Sequence, residues 1–186
     1  MSGFYSRNEL EKMKFKTLGD NVLISRKASL YRTNEMEIGS NVRIEDFCVL
    51  NGNIKIGNNV MICVFCLLDG NAGIVIEDNV TMAARVVIHS GTDDYSGKSL
   101  FGCFAPQEAR KYRVGATVVI KKHVIIGDGS VIMPGIVISE GTAIGAMSFV
   151  KEPTQEWSIF AGIPAKKIKD RKKDVVELYT QYFEKK

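Results

Sequence analysis

An aliphatic side chain returns every six residues along most of this chain, a period that rules out most of the folds otherwise open to it. From Ile38 the series runs through Ile44, Leu50, Ile56, Ile62 and Leu68, continues at Ile76, Met82 and Ile88, and resumes at Ile120, Ile126, Ile132, Ile138, Ile144 and Val150. Apolar residues at that spacing drift around a helix of 3.6 residues per turn and are too sparse for one long alternating strand. They fit a β-solenoid of short strands. A second inward set, mostly small or β-branched, falls two residues before each of these: Val42, Cys48, Ile54, Val60, Cys66, Val80, Val86, Val124, Ser130, Ile136, Thr142 and Ser148. Each face is too small to bury its apolar side alone. Three hexads would close one triangular coil, and stacked coils would share one continuous core.

Turn residues keep a fixed phase against this beat, at Gly39-Ser40-Asn41, Gly57-Asn58-Asn59, Glu77-Asp78-Asn79, Gly127-Asp128-Gly129 and Ser139-Glu140-Gly141. Glycine and asparagine tolerate the positive φ that tight corners need. Two spacings stretch to eight residues, from Leu30 to Ile38 and from Leu68 to Ile76, and are expected to form corner bulges.

The fold class is therefore all-β, with helices only at the ends. Residues 1–17 read as an N-terminal helical segment, with a helix over 4–14 and a capping box of Ser6 and Glu9. The solenoid spans 18–168, interrupted at about 89–116 by a polar, glycine-rich insertion carrying His89, Asp93, Asp94, Tyr95, Arg110 and Arg113. Residues 169–186 read as a charged C-terminal helix. Long loops on rigid scaffolds commonly carry function.

A chain of 186 residues, 45% hydrophobic and 25% charged, suits one soluble domain. The net charge of +4 comes largely from the run Lys166 to Lys173, which suggests a local anion site and gives no reason to expect nucleic acid. No stretch is long enough for a membrane span, and the segment from Met1 to Arg7 lacks a secretory core, so a cytoplasmic protein is expected. Cys48 and Cys66 take inward positions, and the Cys63/Cys66 pair has no second CxxC beside it. The cysteines read as reduced packing residues.

The hexads, the insertion after the third coil and the closing motif Ala161-Gly162-Ile163-Pro164-Ala165-Lys166-Lys167-Ile168 resemble the hexapeptide-repeat acyltransferases. More narrowly, the chain is similar to the galactoside and maltose O-acetyltransferase-like branch, which includes enzymes acting on surface-polysaccharide sugars. The resemblance implies a left-handed parallel β-helix, a homotrimer, and acetyl-CoA in a groove between subunits, with the acetyl group passing to a hydroxyl or amino group of a sugar. It also implies a histidine base in the loop leaving the third coil. His89 lies in that loop, yet counting from Ile76-Glu77-Asp78-Asn79-Val80 puts the family's histidine at about Asp93, so His89 and Asp93 both stand as candidate bases. Asp94 and Tyr95 are the candidates for sugar contact. Asp128, Ala146 and Lys151 match positions along the pantetheine arm, and Lys166 and Lys169 match basic positions facing CoA phosphates. Lys151-Glu152 departs from the threonine-lysine pair usual there. His123 is expected to face outward at the subunit groove. The alternatives are an acetyltransferase for an antibiotic or other small hydroxylated compound, a non-catalytic trimeric scaffold and a zinc lyase. The last would need three histidines per site where each chain has two, so no metal is expected.

Overall fold

The computed structural model describes residues 3–184; residues 1–2 and 185–186, the extremities of the two terminal segments, lie outside the described residues. The chain winds as a left-handed parallel β-helix of about seven turns. Its three inner columns are the ones the hexads spell out. One runs Leu18, Ile38, Ile56, Ile76, Ile120, Ile138. The next runs Ile24, Ile44, Ile62, Met82, Ile126, Ile144, Phe160. The third runs Leu30, Leu50, Leu68, Ile88, Ile132, Val150. Every residue of the six-residue series from Ile38 to Val150, and every member of the second inward set, is buried. Stacking like on like gives each aliphatic side chain an apolar neighbour above and below, which is what a face too narrow to bury itself requires.

The corners are left-handed, as the turn residues require. Asn21, Asn41, Asn59 and Asn79 take φ of 51°, 57°, 55° and 55°. Their amides also ladder, Asn21 Nδ2 donating to Asn41 Oδ1 at 2.9 Å and Asn41 Nδ2 to Asn59 Oδ1 at 3.0 Å. His123 continues this column with φ 60° and its Nδ1 lies 2.8 Å from Asn79 Nδ2. It is not at an exposed groove, contrary to expectation. The chain's own C-terminal segment covers it, with Trp157 and Tyr179 ring centroids at 6.1 and 5.2 Å. Both eight-residue spacings are corner features. Thr33–Glu35 forms a 3-10 turn, and the strand Leu67–Ile76 slips register against Val49–Ile56 between Gly52 and Ile54.

Some corners leave no room for a side chain. A Cβ on Gly127 would sit 2.5 Å from the Ala146 backbone nitrogen and 2.9 Å from its Cα. Backbone cannot rotate aside, so Gly127→Ala should destabilise the protein by about 1–3 kcal/mol. Gly3→Ala, whose Cβ meets nothing within 4 Å, should be neutral, and thermal melts of the two variants check this.

The termini differ from the sequence expectation. The first helix covers only Arg7–Lys12, although its capping box forms, Glu9 Oε2 accepting from Ser6 N at 2.8 Å. Phe4 bridges Ser25 in extended form and Lys14 turns left-handed at φ 56°, which cuts the helix at both ends. At the other end Lys166–Asp170 is a strand, antiparallel to Ser158–Ala161, and the helix begins only at Asp174. The turn after Ala161 folds the lysine run back on the last coil, where backbone pairing overrides the helical look of a charged stretch. Cys48 and Cys66 stack in the core. The Cys66 thiol is pushed far above its ordinary value by its hydrogen bond with Cys48 and by burial, so it stays protonated.

Candidate active site

The insertion leaves the solenoid at Ser90 and returns at Ala116. Ser90 is fully buried and locks both stems: its N and Oγ donate to Asp69 O at 3.0 and 2.8 Å, its Oγ accepts from Ala72 N, and its carbonyl accepts from Ala116 N at 2.9 Å. Beyond it a short antiparallel ladder pairs Gly91 with Gly115 and Thr92 with Val114. A polar excursion of this length can be held still only if its stems are satisfied, and this anchoring fixes His89 at the loop's base.

His89 ends the strand Val87–His89 and opens into a cleft of about 560 Å³ lined also by Gly91, Thr92, Tyr95, Val131, Met133 and Phe149. One coil below, in register, stands Asp69, whose Oδ2 is 3.9 Å from His89 Nδ1. Asp69 is held in turn by Asn71 Nδ2 at 2.6 Å. An imidazole that lines an open cleft and has a carboxylate near its Nδ1 is the kind of group that can accept a proton from a bound nucleophile.

Asp93 is engaged elsewhere. Its Oδ1 accepts from Arg110 Nη2 at 2.9 Å and its Oδ2 from Gly102 N at 3.0 Å. The Arg110 hydrogen bond, with the Gly102 N–H after it, holds the Asp93 carboxyl below the usual carboxylate range. Asp94 organises the loop, accepting from the backbone N–H groups of Ser96, Lys98 and Ser99 at 2.8, 2.9 and 3.0 Å. Tyr95 is 91% exposed and lines both the His89 cleft and a second cavity of about 440 Å³ bounded by Asp93, Asp94, Gly97 and Phe101.

Of the residues expected to hold a cofactor, Asp128, Ala146 and Lys166 sit at the opposite end of the same outer face, whereas Lys151 stands in the register of His89, one residue past Val150 as His89 is one past Ile88. Asp128 and Ala146 occupy successive rungs of one corner, where Met147 N donates to Asp128 O at 2.7 Å. From that corner the strands Val131–Ile132 and Phe149–Val150 lead toward the His89 cleft, which Val131 and Phe149 line. The outer face between them is about three residues wide, or roughly 10 Å, and apolar, as an extended thioester arm requires. Lys166 lies beside this corner, because it pairs with Ala161, whose Cβ packs against Gly145, the residue before Ala146. Lys169 lies further along, opposite Ile159, and Lys151 follows directly on Phe149–Val150; all three are exposed. His89 and Tyr95 thus share one cleft, Asp93, Asp94 and Tyr95 the neighbouring cavity, and Asp128, Ala146 and Lys166 one corner. Asp69, Val131, Met133 and Phe149 were not singled out from sequence. Among the described residues no group of three or more His, Cys, Asp or Glu side chains is placed to hold a metal.

A hexad-built β-helix with one anchored insertion over a histidine cleft and a lysine-bearing corner on the same outer face is the frame of an acyl-CoA-dependent acyltransferase. Residues 35–70 match the family model described as bacterial transferase hexapeptide (six repeats). Over 173 residues the chain is 42% identical to the dTDP-4-amino-4,6-dideoxy-D-glucose acyltransferase of Escherichia coli, covering 91% of this chain and 90% of that one. AntD, an N-acyltransferase from Bacillus cereus solved with dTDP and 3-hydroxybutyryl-CoA, superposes with a TM-score of 0.95 at 43% identity, covering 99% of this chain and 98% of its own. A single-site variant of AntD, solved with dTDP-4-amino-4,6-dideoxyglucose and coenzyme A, gives a TM-score of 0.96 at 43% identity over 100% of both chains. The chain belongs to the hexapeptide-repeat sugar acyltransferases.

Proposed function

We propose that this enzyme transfers an acyl group, with acetyl from acetyl-CoA as the first candidate, to the amino group of a nucleotide-linked amino sugar of the kind that becomes part of a surface polysaccharide. The observation that carries this reading is the His89–Asp69 pair in a largely apolar cleft with Val131, Met133 and Phe149, in a chain that matches an aminosugar acyltransferase along nearly its whole length. The sugar amine attacks the thioester carbonyl, His89 takes the proton the nitrogen loses, and the tetrahedral adduct collapses with release of CoA, whose thiolate recovers a proton. An amine is a good nucleophile once neutral, so one base suffices and no covalent enzyme intermediate is needed. Asp69 keeps the imidazole oriented. Asp93, tied to Arg110, is a poor proton acceptor and shapes the acceptor loop instead, with Asp94 holding that loop and Tyr95 meeting the sugar.

The acyl-CoA arm runs past Asp128, Ala146 and Lys151, and Lys166 and Lys169 face its phosphates. A lysine ammonium serves there as a point charge. Replacing Lys166 and Lys169 together by alanine should raise the KM for acyl-CoA about tenfold or more while leaving the KM for the sugar acceptor nearly unchanged. Steady-state kinetics with each substrate varied in turn checks this, and unchanged acyl-CoA affinity would remove the assignment. The enzyme acts in the cytoplasm, in keeping with its four free cysteines, and assembles as a homotrimer. In keeping with assembly, Leu23, Met61 and Ile125 point outward from one face at 37%, 37% and 44% exposure.

The function is tested by CoA release from acetyl-CoA and 3-hydroxybutyryl-CoA with a panel of acceptors: dTDP-4-amino-4,6-dideoxyglucose, its 4-hydroxy counterpart, free sugars and a hydroxylated antibiotic. Turnover confined to the amino sugar, with an amide product by mass spectrometry, is expected. Turnover of the antibiotic alone, or none with any acceptor, would refute the proposal.

A further inference from the structure

Two guanidinium groups in the insertion have no role in the acyl transfer described so far. Arg113 is exposed and makes no hydrogen bond or ion pair to another described residue through its side chain. Arg110 gives one arm to Asp93, but its Nε is buried without any partner. Buried donors are seldom left in that state unless they meet something beyond the chain's own atoms. The two arginines line one cavity of about 450 Å³, completed by Cys103, Ala105 and Gln107, with no carboxylate in its wall. Arg113 also lines a smaller recess of about 260 Å³ with Asn71, Ala72, Gly91 and Gly115.

The two glycines give this recess its meaning. Gly91 and Gly115 face each other across the base of the insertion, and Gly91 lines the His89 cleft as well. The His89 cleft and this recess share Gly91, and the recess and the arginine cavity share Arg113, so the glycine pair forms a low saddle between the two. A Cβ on Gly91 would stand 3.6 Å from Arg113 Nη2, so the guanidinium lies directly against that saddle.

We propose that Arg113, with Arg110 behind it, binds the diphosphate of the nucleotide-linked acceptor, the sugar reaching across the Gly91–Gly115 saddle so that its amine meets His89. The proposal rests on the acceptor being a nucleotide sugar, as set out above. Asp93 cancels one of the two positive charges, which leaves a net single charge and a forked donor set toward a dianionic group, the pairing in which arginine surpasses lysine. CoA also carries a diphosphate, and the test separates the two sources.

Binding of dTDP and of CoA to the full-length protein is measured by titration calorimetry for wild type, Arg113→Ala and Arg113→Lys, with thermal melts to show that the exposed substitutions leave the fold intact. The expected result is dTDP affinity falling about 10- to 100-fold in Arg113→Ala and less in Arg113→Lys, with CoA affinity within about twofold of wild type. With the acceptor saturating, kcat should stay within about threefold, since the loss is one of binding. Wild-type dTDP affinity in Arg113→Ala, or a loss confined to CoA, overturns the proposal and leaves the acyltransferase reading standing. A wild-type protein that binds CoA but not dTDP removes the nucleotide-sugar reading and this site with it.

Discussion

Replacing His89 by alanine should lower kcat by about 10²- to 10⁴-fold, the usual weight of a positioned proton acceptor, while the KM for acyl-CoA changes little. Asp93→Asn should leave kcat close to that of the wild type, because the Asp93 carboxylate is committed to Arg110 and Gly102 and held below the usual range by them. Its effect should appear in the KM for the acceptor, through a loosened loop. Retention of full turnover by His89→Ala would clear His89 of the role, and that outcome together with a kcat loss of this size in Asp93→Asn would move the base to Asp93.

Ile62→Ala should be among the most damaging single changes to stability. Ile62 is fully buried between Ile44 below and Met82 above, in the middle of its column. Truncation removes the transfer energy of the lost carbons and leaves a cavity that two flanking coils cannot close, a cost of about 2–5 kcal/mol. For a chain of this size that corresponds to roughly 4–20 °C in Tm. Leu18, at the first rung of its column, is only partly buried and has a coil on one side alone, so Leu18→Ala should cost much less. In a solenoid, stability is built from each coil and its contacts with its neighbours, and an interior rung belongs to two such contacts. Equal melting shifts for the two variants would mean that the core does not behave as a stacked column.

The six-residue beat carries most of the fold. It named the inner columns, the second inward set and the phase of the corners, because in a solenoid the burial of a residue follows from its place in a short repeat. Where the structure depends on pairing distant in sequence, the beat was silent. Asp69 stands in register with His89, twenty positions earlier, because extra residues after Asp69 lengthen that coil beyond the eighteen that separate Asn51 from Asp69. Nothing local marks it as a partner. Lys166–Asp170 reads as a solvated helical face, yet its pairing with Ser158–Ala161 makes it a strand. Asp93 and Asp94 looked alike as loop carboxylates until Arg110 and the backbone N–H groups of Ser96, Lys98 and Ser99 separated them. His123 looked like a groove residue because its cover, Tyr179, lies 56 residues away.

The most direct measurement is a crystal structure of the protein with CoA and dTDP-4-amino-4,6-dideoxyglucose bound together. The expected complex has the CoA arm lying from the Asp128 and Ala146 corner along Val131 and Phe149, its sulfur and the sugar amine meeting beside His89, and the diphosphate against Arg113. A sugar amine held out of reach of His89, or a CoA arm on another face of the β-helix, would contradict the assignment of this cleft as the place where the acyl group is transferred.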